Sequence, residues 1–157
     1  MATIERKYLA HFINTGKSGT AQYQRLGKDL EEFSPELSAQ VESKKNILGE
    51  TGIVISGYEK TAQVETCYAE AGSPLFERLQ EIIDDKLVLE DLKTDVVEVK
   101  LWETDSDTFP AVKEEAYIEV LSYGGDTTGY NIPFKLHYTG KTEKGSFNIE
   151  NNTFTKA

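Results

Sequence analysis

One run of residues, 67–87 (CYAEAGSPLFERLQEIIDDKL), carries the apolar spacing of a helix, while the segments on either side of it alternate with a period of two. Ser73 suits an N-cap, Pro74 the first helical position where its missing N–H costs nothing, and Glu77 the first turn, where the helix dipole favours an anion. Leu75, Phe76, Leu79, Ile82 and Ile83 gather on one side of this helix, with charged and amide residues on the other. A lone amphipathic helix among strands has no second helix to pack on, so its stripe must lie on the face or end of a sheet. The expected class is mainly β with one helix (α+β), a helix-capped β-sandwich with its single helix near residues 73–87.

The strands read as follows. Residues 3–15 form an N-terminal strand or arm (the arm being about residues 1–20), with a loop at 15–20. Residues 37–47 alternate Leu37, Ala39 and Val41 with polar neighbours, as a half-solvated strand does. A turn at 48–52 leads into 53–56 and 61–68, one strand broken at Gly57, so that a long hairpin runs directly into the helix. Further strands are expected at 95–103, 112–122, 132–139 and 146–149, with a last short one at 153–155. The intervening loops are 104–109, a glycine-rich turn at 123–130 and a turn at 140–145. Pro133 cannot donate a ladder hydrogen bond and marks an edge or a bulge. At 157 residues, with no repeat, linker or low-complexity stretch, the chain reads as one domain.

Charge and composition exclude several classes. A net charge of -10 without a Lys/Arg run does not grip nucleic acid through its phosphates. The single cysteine, Cys67, supports neither a disulfide framework nor a cysteine zinc site. No stretch has the length and apolarity of a signal peptide or a membrane span, which points to a soluble product made in the cytosol.

Motifs for catalysis fail on inspection. Gly16-Lys17-Ser18 lacks the glycine that a phosphate loop needs five residues earlier, and no helix follows it. Asp105 and Asp107 do not continue into a calcium loop, because Phe109 stands where an oxygen ligand should be. The glycines of 123–130 lack the dinucleotide order. His11 and His137 read as surface or partly satisfied histidines rather than a general base. Paired carboxylates of a glycosidase are spatial and cannot be read among so many acids, and Trp102 with the tyrosines reads as core or cross-strand packing before it reads as a sugar platform. No catalytic, cofactor or metal residue is expected.

What remains is a set of long, two-faced polar strands without site chemistry, a pattern that suits an assembly in which edges are joined to copies of themselves. The segments YQRLGKDLEEFSPELS (23–38), VESKKNILGE (41–50), YAEAGSPLFERLQEI (68–82), TDVVEVKLWE (94–103) and AYIEVLSYGGDTTGYNIPFKLHYTG (116–140) carry a family likeness. Through them the chain resembles the major tail proteins, or tail tube proteins, of phages and prophages of Gram-positive bacteria. That resemblance implies a tail-tube β-sandwich or barrel with one flanking helix, no enzymatic activity and no cofactor. It also implies hexameric rings stacked into a conduit for the genome in the virion tail of a phage made in the bacterial cytoplasm. The partners it implies are the tape measure, tail terminator and baseplate proteins, with non-specific passage of DNA and no membrane. A carbohydrate-binding or baseplate accessory module is the alternative.

On this reading the ring contacts are expected from the arm (Ile4, Tyr8, Phe12), the turn Leu48, Gly49, Glu50 and Thr51, and the loop bearing Asp105 and Asp107. A conduit wall should be acidic or mixed, since a basic one would bind phosphates. Gln40, Glu42, Lys44, Glu98, Lys100 and Glu119, on polar strand faces, are the candidates for it.

Overall fold

The computed structural model describes residues 2–16, 21–103 and 108–157. Ser73 has an extended backbone and its Oγ accepts from the N–H of Phe76 at 3.5 Å, starting helix α1 (Pro74–Asp85). The helix ends at Lys86, a left-handed C-cap with φ 50°. Leu75, Leu79 and Ile82 are buried, and Phe76 and Ile83 pack at the margin of the same cluster. Residues 67–72 are not helical, although the spacing included them. Their main chain has a strand-like partner instead: Tyr68 bridges Asn131, and Ala69 N–H donates to Tyr130 O at 2.8 Å.

The strands are β1 (Leu9–Asn14), β2 (Tyr23–Arg25), β3 (Ala39–Lys45), β4 (Thr51–Tyr58), β5 (Thr61–Val64), β6 (Lys93–Lys100) and β7 (Thr108–Val120), followed by β8 (Gly124–Asp126), β9 (Gly129–Asn131), β10 (Phe134–Asn148) and β11 (Thr153–Lys156). The main sheet runs β11-β10-β7-β6-β1-β2, every pair antiparallel, and curls into a half-barrel. β5 and β11 lie end to end along the edge of β10 that β7 leaves open, on Phe134 to His137 and Gly145 to Asn148 respectively. β3 with β4, and β8 with β9, form separate two-stranded sheets.

The sheet is buried on both faces, but at different ends. Val96 of β6 shares one face of the sheet with Ala116 and Ile118 of β7 and Phe134 and Leu136 of β10, and this side receives α1, Ile13 and Phe33. Val97 and Val99 point the other way, into a second cluster with Ala10, Phe12, Ala111 and Phe147, where Phe12 and Phe147 stack at 4.5 Å. The change of side coincides with a register shift in β10. Tyr138 faces Ala116 and Thr142 faces Glu114, so two extra residues bulge there with Gly140 at φ 89°, and the strand bends.

Four expectations are corrected. The turn expected at 140–145 is this bulge within one continuous strand. The span 53–68 is not one strand: the chain leaves β4 at Tyr58, and β5 pairs with β10 rather than extending the hairpin. The glycine-rich stretch expected as a turn at 123–130 holds the small β8–β9 hairpin of residues 124–131. The supposed arm contains β1, an inner strand between β6 and β2 whose Ala10, His11, Phe12 and Ile13 are all buried.

Candidate assembly surface

Alternation over residues 39–45 and 51–58 produces a ribbon, not a sheet layer. In β3 and β4 no residue is buried, and only Gly57 is even half-buried. The register places Val41 across from Ile55 and Ser43 across from Ile53, while Glu42 faces Val54 and Lys44 faces Gly52. One face therefore carries Ala39, Val41, Ile53, Ile55 and Tyr58, and the other Gln40, Glu42 and Lys44. The apolar face is bare among the described residues.

The tip of the ribbon is ordered by one side chain. Asn46 Oδ1 accepts from the N–H groups of Leu48 and Glu50, both at 3.0 Å, and Gly49 takes φ 81°. This holds Ile47 and Leu48 out in water, Ile47 at 102% exposure. With Val41, Ile53, Ile55 and Tyr58 along the ribbon, these exposed side chains make it the candidate interaction surface. Of the residues expected at ring contacts, Leu48, Gly49, Glu50 and Thr51 lie at this tip, and the exposed face adds Val41, Ile53, Ile55 and Tyr58, which the sequence expectation does not include. Their period-two alternation was the signal, read as a face turned to the chain's own core.

The other candidates disperse. Ile4 and Tyr8 are exposed, but Phe12 belongs to the second core cluster and is unavailable as surface, which corrects its assignment. Asp105 and Asp107 lie outside the described residues. The six wall candidates do not share a face. Gln40, Glu42 and Lys44 stand on the polar side of the ribbon, Glu98 and Lys100 on the side of the sheet that carries Val96, and Glu119 on the opposite side, its Oε1 2.7 Å from Nε2 of His137.

His137 is a surface partner of Glu119. His11 is neither exposed nor satisfied: it is 3% exposed, stacked edge-on against Phe33 at 4.7 Å, and its Nε2 has no hydrogen-bond partner among the described residues. Burial first, and the nearby charges of Arg6, Lys60 and Arg25, lower its pKa to about 3, so the ring is neutral. A cleft of about 490 Å³ beside it is lined by Arg6, Arg25, Leu26, Leu30 and Phe33. The Arg6 guanidinium is occupied there by Leu9 O and Phe33 O. Several tyrosines are engaged within the chain, whereas Tyr58 and Tyr123 are exposed. Tyr23 Oη donates to Asp95 at 2.6 Å, Tyr130 Oη to Gln80 at 2.6 Å, and the Tyr138 ring lies under Lys60. The described residues contain no cluster of three metal-ligating side chains, and no helix among them is long and apolar enough to cross a membrane.

The curled antiparallel sheet with one helix matches the fold of a solved phage tail tube. The SPP1 tail tube, determined by solid-state NMR and electron cryomicroscopy, superimposes with a TM-score of 0.66 at 14% identity, over 98% of this chain and 81% of that one. No family model matches the chain, and no curated protein matches it.

Proposed function

We propose that the chain is a structural tail tube subunit, whose copies close into hexameric rings that stack into the conduit for a phage genome. One observation carries this reading: a ribbon with an apolar face that its own chain leaves uncovered, on a fold that follows a tail tube along nearly the whole sequence. A second copy is the occupant that fits, because each copy brings the same ribbon and needs the same cover. Burying each of Val41, Ile53 and Ile55 would contribute about 1.5–3 kcal/mol before the costs of association. Tape measure, terminator and baseplate proteins are the partners this role entails, and the virion tail is its place.

For the wall of the conduit we retain Gln40, Glu42 and Lys44, which share the polar face of the ribbon. Glu98 and Glu119 are dropped because Lys60 and His137 engage their carboxylates within the subunit, and Lys100 is dropped with Glu98, whose face it shares. Nothing in these side chains builds a basic surface that would hold DNA.

Negative-stain microscopy of the purified chain over a concentration series tests the proposal. Rings or tubes should appear as concentration rises. A chain that stays monomeric throughout, alone and with added tail components, overturns it.

A further inference from the structure

The ribbon is joined to the half-barrel by a short root at residues 36–38 and 59–61. Its main-chain ties are few: Glu36 and Thr61 exchange bonds of 2.7 and 2.9 Å, Glu59 N–H donates to Ser38 O at 3.3 Å, and Tyr138 N–H donates to Lys60 O at 3.0 Å. Thr61 pairs with His137 and Lys60 O accepts from Tyr138 N–H, so a side chain at the foot of the ribbon adds to main-chain ties that end there among the described residues.

Lys60 stands at that foot. Its Nζ lies 2.9 Å from Glu114 Oε1 on β7, 3.5 Å from Glu98 Oε2 on β6 and 4.5 Å from the ring centre of Tyr138 on β10. One ammonium group thus engages three strands of the barrel from the foot of the ribbon. The Lys60 side chain is 18% exposed and that of Glu114 10%. Glu114 and Tyr138 also flank the bulge in β10, where the barrel changes its buried side. A buried ion pair is an inefficient way to stabilise a core, since an apolar residue of similar volume packs there without a desolvation cost. What the ammonium adds is convergence, since one charge on a long stem meets groups on β6, β7 and β10 at once and so ties the foot of the ribbon to all three strands.

We propose that Lys60 is a positioning residue that fixes the angle at which the β3–β4 ribbon leaves the barrel, and so the direction in which it meets a second copy. The consequence for assembly rests on the tail tube reading above, whereas the angle is a property of the single subunit. The two can therefore fail separately.

Pulsed electron paramagnetic resonance on the dilute full-length chain measures the angle. Spin labels are attached at Leu48→Cys and Glu150→Cys in a Cys67→Ser background. With Lys60 present the distance distribution should be narrow; with Lys60→Met it should be about twice as broad, as for a segment freed into local motion. Lys60→Arg, which keeps the charge, should restore most of the narrowing. In the unlabelled chain Lys60→Met should remain folded and lose ordered tubes. An unchanged distance distribution in Lys60→Met overturns the proposal. Should that variant fail to fold, Glu114→Gln removes the nearest charge at nearly constant volume, and an unchanged width there overturns it equally. If the broadening is seen but the parent chain never forms tubes, the joint stands and the assembly reading falls.

Discussion

Gly145 and Thr155 approach so closely in the last strand pair that a Cβ on Gly145 would sit 2.2 Å from the carbonyl oxygen of Thr155. β11 lies on β10 only because residue 145 has no side chain. Gly145→Ala should push β11 off or strain the pair, costing about 1–3 kcal/mol, with Thr153–Lys156 amides losing hydrogen-exchange protection before any others. Unchanged protection of that strand would show that the close approach relaxes without cost.

Leu79 is completely buried at the centre of the helix stripe, against the cluster that holds Ile118 and Phe134. Leu79→Ala should destabilise the chain by about 2–5 kcal/mol. For a domain of this size each kcal/mol corresponds to roughly 2–4 °C in Tm. A variant melting within a degree of the parent would mean that α1 is not docked.

Ile47→Asp with Leu48→Asp changes only exposed side chains. Monomer stability should stay within about 0.5 kcal/mol of the parent, while assembly is lost. Tubes of normal length in electron micrographs would remove the ribbon tip from the interface.

The N-terminal residues divide at Arg6. Its guanidinium donates to Leu9 O and Phe33 O, and Tyr8 O accepts from Leu101 N–H, so residues 6–8 belong to the folded subunit. Deleting residues 2–5 should leave Tm nearly unchanged; extending the deletion to residue 8 should lower it by several degrees. Equal melting temperatures would show that Arg6 ties nothing down.

His11 predicts a pH dependence. Its pKa is about 3 in the fold and near 6.5 in the unfolded chain, so below pH 6.5 the unfolded state takes up a proton that the fold refuses. Stability should therefore be constant through this group above pH 6.5 and fall as pH drops from there toward 3. At pH 5 the loss is about 2 kcal/mol at most. His11→Gln should flatten this part of the curve of urea midpoint against pH, and an identical slope would show that the ring is free to charge in place.

The helix was legible in detail because its signals are local: Ser73, Pro74 and the Leu75, Leu79, Ile82 stripe lie within one short segment. The β content was legible too, since alternation of the kind seen at Ala116, Ile118 and Val120 needs no partner to be recognised. Partnership was not. Whether the apolar side of 39–58 meets its own core or a neighbour depends on where β5 turns, and that is decided by the pairing of Ala62 and Val64 with Leu136 and Phe134. The burial of His11 was hidden for the same reason: β1 reads as a peripheral segment until Glu98 and Arg25 are seen on either side of it. Lys60 is invisible in sequence, because its three partners lie 38, 54 and 78 positions away.

The bulge in β10 has one more effect, on what the subunit refuses to join. Between β5 and β11 the outer edge of β10 is open at residues 139–143 among the described residues. A flat open edge is an invitation to any passing strand. This one is short, kinked at Gly140, and flanked by Lys141 and Lys144, and Thr139 Oγ1 already accepts from Lys141 N–H at 3.4 Å. A stray strand finds no straight row of donors and acceptors there. The same irregularity that bends the barrel thus guards the open stretch of β10 against strand addition, and an assembly of the kind proposed above would have to run through other surfaces, the ribbon first among them.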